Sequence, residues 1–316
     1  MPPTDLNTCP LPDLYRLLAQ DGCVERLFGL MRDEDLGPTG LDMTSRVCIG
    51  PEATLCAHIV SRQPGMLAGL EAIEPLCKVF QARVTLQANA HDGQAVAAGQ
   101  SVATLSGNAR DLLTVERPIL NLLGRLSGVA TRTQAFITAM ASCSGATQPH
   151  AKLYDTRKTT PGLRHLEKYA VRCGGGSCHR IGLCDALLIK DNHIACAHRG
   201  GLALRVEQAA RRAQSQWPDT LRFVMVEVDS LDQLNEILAL PAGLVEIVLL
   251  DNMDCAQLEQ AVELRNEHAP ALQLEASGSV TLKTIAKIAQ TGVDRISVGS
   301  LTHHAVWLDF GLDVGA

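Results

Sequence analysis

The sequence has few aromatic residues and no excess of positive charge. Phe, Trp and Tyr together make up 3% of its 316 residues, and its formal net charge at pH 7 is −6. Proteins that bind nucleic acids present basic surfaces, and those that bind single strands stack the bases on aromatic rings. These shortages argue against a nucleic-acid partner, and the negative charge also argues against binding to an anionic membrane surface.

The sequence also lacks an apolar run long enough to cross a membrane. Residues 1–20 carry neither a basic segment nor an apolar one, so we expect no secretory signal peptide. The eleven cysteines show no paired Cys-x-x-Cys spacing, and we expect reduced thiols in a cytoplasmic protein. Cys173, Cys178 and His179 have no matching second half of a metal motif, so buried thiols are favoured over a zinc site.

The second half of the chain alternates short apolar runs with helical patterns. With 46% hydrophobic and 20% charged residues, the chain can bury a full core. Strands and helices that alternate at this spacing predict a parallel sheet, and six or more units predict a closed or nearly closed β/α barrel. The candidate strands are Ala151–Asp155, Ala186–Lys190, Phe223–Val228, Val245–Asp251, Leu272–Ser277 and Arg295–Gly299. The candidate helices are Leu231–Leu238, Cys255–Glu267 and Thr281–Thr291.

The first half of the chain has a different pattern. Residues 1–20 carry leucines at helical spacing, whereas residues 47–110 carry strand signals bounded by glycine turns. The latter stretch is similar to the hammerhead of lipoyl and biotin carrier domains, but no lysine lies at its hairpin tip, so it predicts a structural sandwich. A helical pattern follows from Leu112, and Pro118 predicts that this helix either starts nearby or is kinked.

Charged residues follow four of the candidate strands. Arg157 and Lys158 come after the first strand and Lys190 ends the second, while Glu227 and Asp251 lie at the ends of the next two. In a β/α barrel the carboxyl ends of the strands gather on one face, which is where active sites lie. The sequence therefore predicts that these side chains converge on one site.

Positive charge is concentrated between residues 156 and 193. The cations there are interleaved with apolar residues and with the glycine run 174–176. Such cations are costly to bury unless anions meet them, so the segment predicts a pocket for small, multiply negative ligands. An alternative, a solvated helix face, stays open for four of the charged residues: Arg164, Glu167, Lys168 and Arg172.

Small polar residues follow the last two strands. Ser277, Gly278 and Ser279 follow one, and Gly299 and Ser300 follow the other. Glycine lets a phosphate approach backbone N–H groups, and the N-terminus of a following helix favours the anion. Phosphate sites recur at this position in barrels, so we predict one here; ordinary β–α turns are the alternative.

Glu227 and Asp251 are carboxylates that close two apolar strands. Facing a cationic pocket, they predict Mg²⁺ ligation or hydrogen bonds to sugar hydroxyls. The alternative is that each caps the following helix. Asn252, directly after Asp251, makes that alternative plausible for one of the two.

Several segments in combination resemble the quinolinate phosphoribosyltransferase family. The resemblance runs from about residue 40 to the end of the chain. The segments that carry it are Thr156–Gly162, Leu166–Val171, Gly174–Gly176 with His179-Arg180, and Leu188–Ile194. Supporting segments are Glu116–Pro118, Leu126–Ala130, Val226–Val228, Leu249–Asn252 and Glu275–Gly278.

The resemblance implies a reaction and an architecture. Quinolinate and phosphoribosyl pyrophosphate would give nicotinate mononucleotide, CO₂ and pyrophosphate with Mg²⁺, a step of de novo NAD biosynthesis. It implies an α/β fold with an incomplete β/α barrel over residues 129–302. The N-terminal hammerhead-like sandwich would span residues 1–128 and be joined by the tail 303–316. The basic unit would be a homodimer, or a higher assembly of dimers.

The resemblance also implies which residues hold quinolinate. Arg157, His179, Arg180 and Lys190 would bind its two carboxylates. Lys158 would lie where both substrates meet and act in catalysis. Arginine suits this task because its planar fork matches a carboxylate in two-point contact.

Other roles implied by the resemblance concern the ribose, the phosphate and the partner subunit. Arg117 would reach the active site of the partner. Glu227 and Asp251 would bind ribose hydroxyls or Mg²⁺, directly or indirectly. The 5′-phosphate would be held by Ser277, Gly278, Ser279, Val298, Gly299 and Ser300.

Two rival functions are open. In an aldolase-type barrel, Lys190 would form a Schiff base with a substrate carbonyl, which requires a depressed lysine pKa. In a carrier or scaffold protein, the hammerhead would be the functional part. The missing lysine at the hairpin tip argues against a carrier.

Overall fold

A computed structural model describes residues 5–142, 150–190, 192–193 and 201–315. The chain forms two compact units. The barrel unit comprises Met1–Asp5, Ala135–Arg157 and Gly176–Gly299, and the N-terminal unit comprises Leu6–Gln134, Lys158–Gly175 and Ser300–Ala316. Asp191 and Ile194 of the predicted active-site segment lie outside the described residues. Across the described ranges, no helix combines the length and apolarity needed to cross a membrane.

Six parallel strands form the sheet of the barrel unit. Their bounds are β6 Lys152–Tyr154, β7 Leu187–Ile189, β8 Val224–Val228, β9 Ile247–Asp251, β10 Gln273–Ser277 and β11 Arg295–Ser297. They pair side by side in the order β6-β11-β10-β9-β8-β7. All six predicted strands are confirmed, each one or two residues shorter than predicted.

Helices follow the strands of the barrel unit, as the alternating pattern predicts. They are α7 Leu202–Gln216, α8 Leu231–Leu238, α9 Cys255–His268 and α10 Ile285–Gln290. Helix α10 begins four residues later than the predicted start at Thr281. The reason is local: the Thr284 amide bonds to the Thr281 carbonyl, and the Thr284 hydroxyl accepts from the Thr281 amide, which holds residues 281–284 in turns.

Alternate residues of the parallel strands form the interior of the barrel unit. Leu188, Met225, Ile247 and Leu249 are buried together, and Phe223 packs against them. Side chains alternate between the two faces of a strand, so the residues two positions further along share this inward face. The charged residues at the strand ends therefore lie on the same face as this apolar cluster, further along the strands.

The N-terminal unit contains an antiparallel sheet in the order β12-β1-β5-β3. Its last strand pairs with its first from Ala57 opposite Val314 to Ser61 opposite Phe310. A second, two-stranded sheet pairs β2 with β4. The bounds are β1 Thr54–Ser61, β2 Gly65–Met66, β3 Val84–Ala88, β4 Ala95–Val96, β5 Ser101–Asn108 and β12 Phe310–Val314. The strand-rich character predicted for residues 47–110 is confirmed.

The other helices are α1 Leu11–Ala19, α2 Cys23–Leu36, α3 Met43–Cys48, α4 Ile73–Val79, α5 Ala109–Ala141, α6 Arg164–Cys173 and α11 Ser300–His303. Pro118 lies inside α5, so the expectation that the helix starts near it is wrong. A proline there removes one helical hydrogen bond. The buried stripe Leu112, Val115, Ile119 and Leu123 offsets that loss by packing.

A solvated helix face is the wrong interpretation for α6. Glu167 and Lys168 are fully buried. Glu167 accepts from Arg125 Nε at 3.0 Å, so its charge is met inside the unit. Arg172 is half-buried and donates to the carbonyls of Leu6 and Cys9. These contacts make the charges of α6 structural.

Candidate active site

Three charged residues lie at the carboxyl ends of neighbouring strands in the barrel unit. The Lys190 ammonium pairs with the Glu227 carboxylate. Glu227 aligns with Leu249 in the parallel ladder, so Asp251 lies two residues further along the adjacent strand on the same face. Helix capping is excluded for both carboxylates, because Ser230 caps α8 and Asp254 caps α9.

Two arginines lie close to this group. Arg180 is 7% exposed, and its pKa is lowered by burial and by the positive charge of Arg157, while Asp185 and Glu227 act in the opposite direction. The Nε of Arg157 is buried without a hydrogen-bond partner among the described residues. Arg157 and Glu227 thus both lie within electrostatic reach of Arg180, and Arg157 Nε is a buried donor without a partner among the described residues.

The loop that carries Arg180 is fixed at its far end by Asp185. The Asp185 carboxylate accepts from the amides of Ile181 and Gly182 at 2.7 and 2.8 Å, and from Arg222 at 3.1 Å. These bonds lower the pKa of Asp185 against the opposing effect of its burial. The loop after Arg180 is therefore held by a charged anchor that the sequence analysis missed.

The predicted phosphate turn has a backbone that requires glycine. Gly278 has φ +99° and Ser279 has φ +48°. A Cβ on Gly278 would lie 2.1 Å from Asn252 Oδ1 and 2.9 Å from the Asn252 amide nitrogen. The Asn252 amide also donates to the Ser277 carbonyl at 2.9 Å. The ends of β9 and β10 are thus locked together, and only glycine leaves room at this turn.

The second predicted phosphate segment, residues 298–300, makes hydrogen bonds within the fold through its backbone. The Val298 amide donates to the Tyr154 carbonyl at 3.0 Å, so it is used within the sheet. Gly299 ends the barrel unit, and Ser300 belongs to the N-terminal unit. Within that unit the Ser300 carbonyl accepts from Arg132 Nε at 2.5 Å. Arg132 is a second residue that the sequence analysis did not single out.

Two more predicted site residues lie in the N-terminal unit. Lys158 is exposed, and its carbonyl accepts from the Thr302 hydroxyl at 2.5 Å. Arg117 projects from α5 with its side chain 66% exposed, 3.9 Å from Glu116. The pKa of His303 is lowered by partial burial, by His304 and by the positive charges of Lys158 and Arg132. Lys158 is therefore part of a local concentration of cations.

The loop after Lys158 is anchored by a buried ion pair. Glu167 accepts from Arg125 with one oxygen, and its other oxygen accepts from the Thr160 amide at 3.0 Å. Arg125 also donates to the Thr302 carbonyl at 2.9 Å. In the sequence, this ion pair is indicated only by Arg125, a charged residue among the apolar residues of α5.

Buried charge also lies below the strand ends of the barrel unit. The carboxylate of Glu275 accepts from Arg295 Nε at 2.7 Å and lies 3.3 Å from His179 Nε2. All three side chains are at most 8% exposed. Glu275 appears in the sequence analysis only as part of a motif, and Arg295 only as the start of a strand. Each lies two residues before a strand-end serine, Ser277 or Ser297, and therefore on the same face of its strand. A charged residue at such a position could have been recognised from the sequence.

Glu227 and Asp251 offer the hard oxygen ligands that Mg²⁺ prefers. Lys190 already pairs with Glu227, and Asn252 Nδ2 donates to Asp251 at 2.8 Å. Magnesium characteristically keeps several waters and uses one or two carboxylates together with substrate phosphates. The residues fit a metal held in that way, with the protein supplying two ligands on adjacent strands.

A different group of metal-binding residue types lies in the N-terminal unit. Ligand atoms of Asp21, Cys23 and His165 come within 4.8 Å of one another. Arg26 donates to the Cys23 sulfur at 2.9 Å, which places a positive charge where a metal ion would lie. The Asp21 pKa is lowered because bonds from Cys23 and the charges of His165 and Arg26 outweigh burial. The group is an internally neutralised cluster.

Two family models match the chain. The description "Quinolinate phosphoribosyl transferase, C-terminal domain" matches residues 129–313, and "Quinolinate phosphoribosyl transferase, N-terminal domain" matches residues 42–127. A nicotinate-nucleotide pyrophosphorylase [carboxylating] of Mycobacterium leprae is 42% identical over 279 residues, covering 87% of this chain and 92% of the relative.

Other relatives agree. A probable nicotinate-nucleotide pyrophosphorylase [carboxylating] of Bacillus subtilis is 38% identical, covering 89% of this chain and 90% of the relative. The solved nicotinate-nucleotide pyrophosphorylase of Francisella tularensis superposes with a TM-score of 0.82 at 35% identity, covering 99% of both chains. Its likeness extends over both units of this chain.

Proposed function

The chain belongs to the quinolinate phosphoribosyltransferase family, and we propose that Arg157, Arg180 and Lys190 hold the two carboxylates of its substrate. The enzyme transfers a phosphoribosyl group from phosphoribosyl pyrophosphate to quinolinate with decarboxylation. The products are nicotinate mononucleotide, CO₂ and pyrophosphate, and the reaction belongs to NAD biosynthesis.

The closeness of Arg157 to Arg180, with an unpaired Nε on Arg157, is the observation that supports this binding mode. Arg157 and Arg180 repel each other in a largely buried position, and the repulsion contributes to the lowered pKa of Arg180. A dianion placed between them relieves the repulsion and supplies a partner for the buried Arg157 Nε. Charge-assisted bonds between guanidinium and carboxylate are among the strongest that proteins form. His179 lies beside Arg180 in the same group.

The reaction needs positioning and charge more than a protein nucleophile. The pyridine nitrogen of quinolinate forms a bond to C1 of the ribose while the bond from C1 to pyrophosphate breaks. Ribosylation makes the ring nitrogen positive, so the electron pair left by departing CO₂ is stabilised and then takes a proton. Decarboxylation therefore follows transfer. Held reactants and preorganised charge supply this catalysis.

Lys158, Glu227 and Asp251 are proposed to act on the phosphoribosyl donor. Lys158 belongs to a local concentration of cations suited to the leaving pyrophosphate. Glu227 and Asp251 face inward at adjacent strand ends, where their oxygens accept hydrogen bonds from ribose hydroxyls. When bound, Mg²⁺ neutralises charge on the departing pyrophosphate, and these two carboxylates are its proposed ligands, directly or through water.

The 5′-phosphate is proposed to lie at the turn after β10. Gly278 and Ser279 turn the backbone with positive φ angles directly after β10, and the N–H groups of this turn are the proposed phosphate donors. Ser277, Gly299 and Ser300 complete the proposed set. The Val298 amide already donates to the Tyr154 carbonyl in the sheet, so Val298 lines the proposed site without donating to the phosphate.

A homodimer or a higher assembly of dimers in the cytoplasm is part of the proposal. The exposed Arg117 side chain supports it, because a cation held away from its own unit's interior is available to a partner subunit. In this arrangement Arg117 of each subunit completes the site of the other.

Alanine variants of Arg157 and Arg180 test the binding mode. Each is expected to raise KM for quinolinate by at least ~10-fold, because a charge-assisted contact is worth about 1.5–3 kcal/mol. Arg211→Ala is the matched control, since Arg211 forms an exposed pair with Glu207 in the same unit. KM for quinolinate in the wild type should also rise with salt. An unchanged KM for quinolinate in both variants, or a wild-type KM that does not depend on salt, contradicts the proposal.

A further inference from the structure

Glu275, Arg295 and His179 form a charged network inside the barrel unit. Glu275 is fully buried, and the other two side chains are 8% and 7% exposed. Arg295 Nε lies 2.7 Å from one carboxylate oxygen and His179 Nε2 lies 3.3 Å from the other. The Arg295 guanidinium stacks on the Tyr154 ring at 3.6 Å. None of the three side chains is more than 8% exposed.

Such a network is costly to bury, so its presence calls for a reason. Burial alone would raise the pKa of Glu275, but His179 and Arg295 lower it to about 2. Replacing buried ion pairs by apolar residues is often neutral or stabilising, so stability is a weak explanation for the network. Fixing one local geometry is the better explanation.

The hydrogen bonds of His179 define that geometry. The Arg180 amide donates to His179 Nδ1 at 2.7 Å, so Nδ1 carries a lone pair rather than a proton. A neutral imidazole with its lone pair on Nδ1 carries its proton on Nε2, and this atom lies 3.3 Å from a carboxylate oxygen of Glu275. The His179 amide donates to Asp155 Oδ1 at 2.7 Å, and the ring meets Phe223 edge-on. Both ring nitrogens of His179 thus face protein atoms.

We propose that Glu275, held by Arg295, is a positioning residue that fixes the Nε2–H tautomer of His179, so that His179 Nδ1 holds the backbone of Arg180 in its substrate-binding position. The inference rests on the proposed role of Arg180 in binding a quinolinate carboxylate. His179 then acts through Arg180, and Arg295 acts through Glu275. The chain of contacts runs from β11 through β10 to the loop that carries Arg180.

Glu275→Gln tests this inference, because it keeps the shape and removes the charge. KM for quinolinate is expected to rise by about 10-fold to 100-fold, the usual range for a group that orients a functional residue. KM for phosphoribosyl pyrophosphate should change by less than about twofold, since the network does not touch the proposed phosphate turn. Glu207→Gln is the matched control: it makes the same change at the carboxylate that pairs with Arg211 in the same unit, so KM for quinolinate stays unchanged.

Nitrogen NMR of histidine labelled with ¹⁵N supplies a second readout. The His179 signal, identified by its loss in His179→Gln, should report a single Nε2–H tautomer in the wild type and a mixture in Glu275→Gln. If Glu275→Gln fails to fold, Arg295→Lys carries the test. Lysine keeps the positive charge of Arg295 but lacks the planar guanidinium. KM for quinolinate is expected to rise to a value between those of the wild type and Glu275→Gln.

Arg180→Ala, measured in parallel, separates the two proposals. A raised KM for quinolinate in Arg180→Ala together with an unchanged KM and tautomer in Glu275→Gln overturns the positioning role alone. An unchanged KM in Arg180→Ala overturns the proposed binding mode. A protonated Nδ1 in the wild type also overturns the positioning role.

Discussion

Charged residues of the barrel unit differ in role according to their height along the strands. Glu275 and Arg295 lie opposite each other in the ladder, one inward step before Ser277 and Ser297. At that depth they contact each other, His179, Gln273 and the Tyr154 ring. Residues at the strand ends, such as Asp251, have partly exposed side chains. Depth along the strand therefore separates groups that set geometry from groups that can meet substrate.

The Glu275 carboxylate makes stability depend on pH. Its folded-state pKa of about 2 lies below the ordinary value of 4.5, so ionised Glu275 stabilises the fold above pH 4.5, and this contribution is lost as pH falls towards 2. The difference in unfolding free energy between wild type and Glu275→Gln should therefore shrink as pH falls from 5 to 2, as measured by urea unfolding.

Glu246 provides a control of opposite sign for this measurement. Burial raises the pKa of Glu246 despite a hydrogen bond from the Val224 amide. Ionising Glu246 therefore costs folded-state stability as pH rises past its ordinary pKa. The wild type should lose stability relative to Glu246→Gln with rising pH. Parallel pH trends for the two variants would contradict both assignments.

At the scale of elements, the turn after β10 depends on one glycine. Gly278→Ala should lower the unfolding free energy by about 2 kcal/mol or more, because a positive φ and a steric overlap with Asn252 act together. KM for phosphoribosyl pyrophosphate should also rise, since the turn is the proposed phosphate site. Gly243→Ala is the matched control: Gly243 has φ +77° with nothing within 4 Å of the added Cβ, so it should cost about 1 kcal/mol. Equal losses in the two variants would show that the overlap with Asn252 relaxes freely.

Strands of the barrel unit could be predicted from sequence because they are buried apolar runs with turn residues at their ends. The start of α10 could not, because hydrogen bonds between Thr281 and Thr284 hold turns where the composition also suits a helix. The continuation of α5 through Pro118 could not be predicted either, because it depends on the tertiary packing of the buried apolar residues of that helix. Local propensity gives way to tertiary contacts in both cases.

Candidate site residues could be predicted where a charge follows an apolar strand, as with Lys190 and Glu227. Glu167 and Lys168 misled because their spacing suits an exposed helix, and only the position of Arg125 in space shows that Glu167 is buried. The pairing of Glu275 with Arg295 depends on which strands are neighbours, β10 and β11, and strand order is not written in either segment.

The whole molecule combines a net charge of −6 with local clusters of cations. Arg117 is the cation that the proposal assigns to a partner subunit, and its exposure makes the assignment testable with mixed dimers.

Hybrid dimers test whether the site is shared. Lys158→Ala and Arg117→Ala should each abolish most turnover when expressed alone. Coexpressed with different tags, they should recover activity, because a hybrid dimer has one site with both native residues; random pairing gives about a quarter of the wild-type activity. Lys78→Ala, a change at an exposed lysine of α4, is the control for charge loss. No recovery in purified hybrids would place Arg117 in the site of its own subunit.

The most direct test of the central claim compares two substrates of the wild-type enzyme. Quinolinate and nicotinate are supplied separately with phosphoribosyl pyrophosphate and Mg²⁺, and nicotinate mononucleotide and CO₂ are followed. Because Arg157, Arg180 and Lys190 are proposed to require both carboxylates, we predict nicotinate mononucleotide and equimolar CO₂ from quinolinate, and no turnover of nicotinate. Comparable turnover of nicotinate, or no product from quinolinate, would contradict the account.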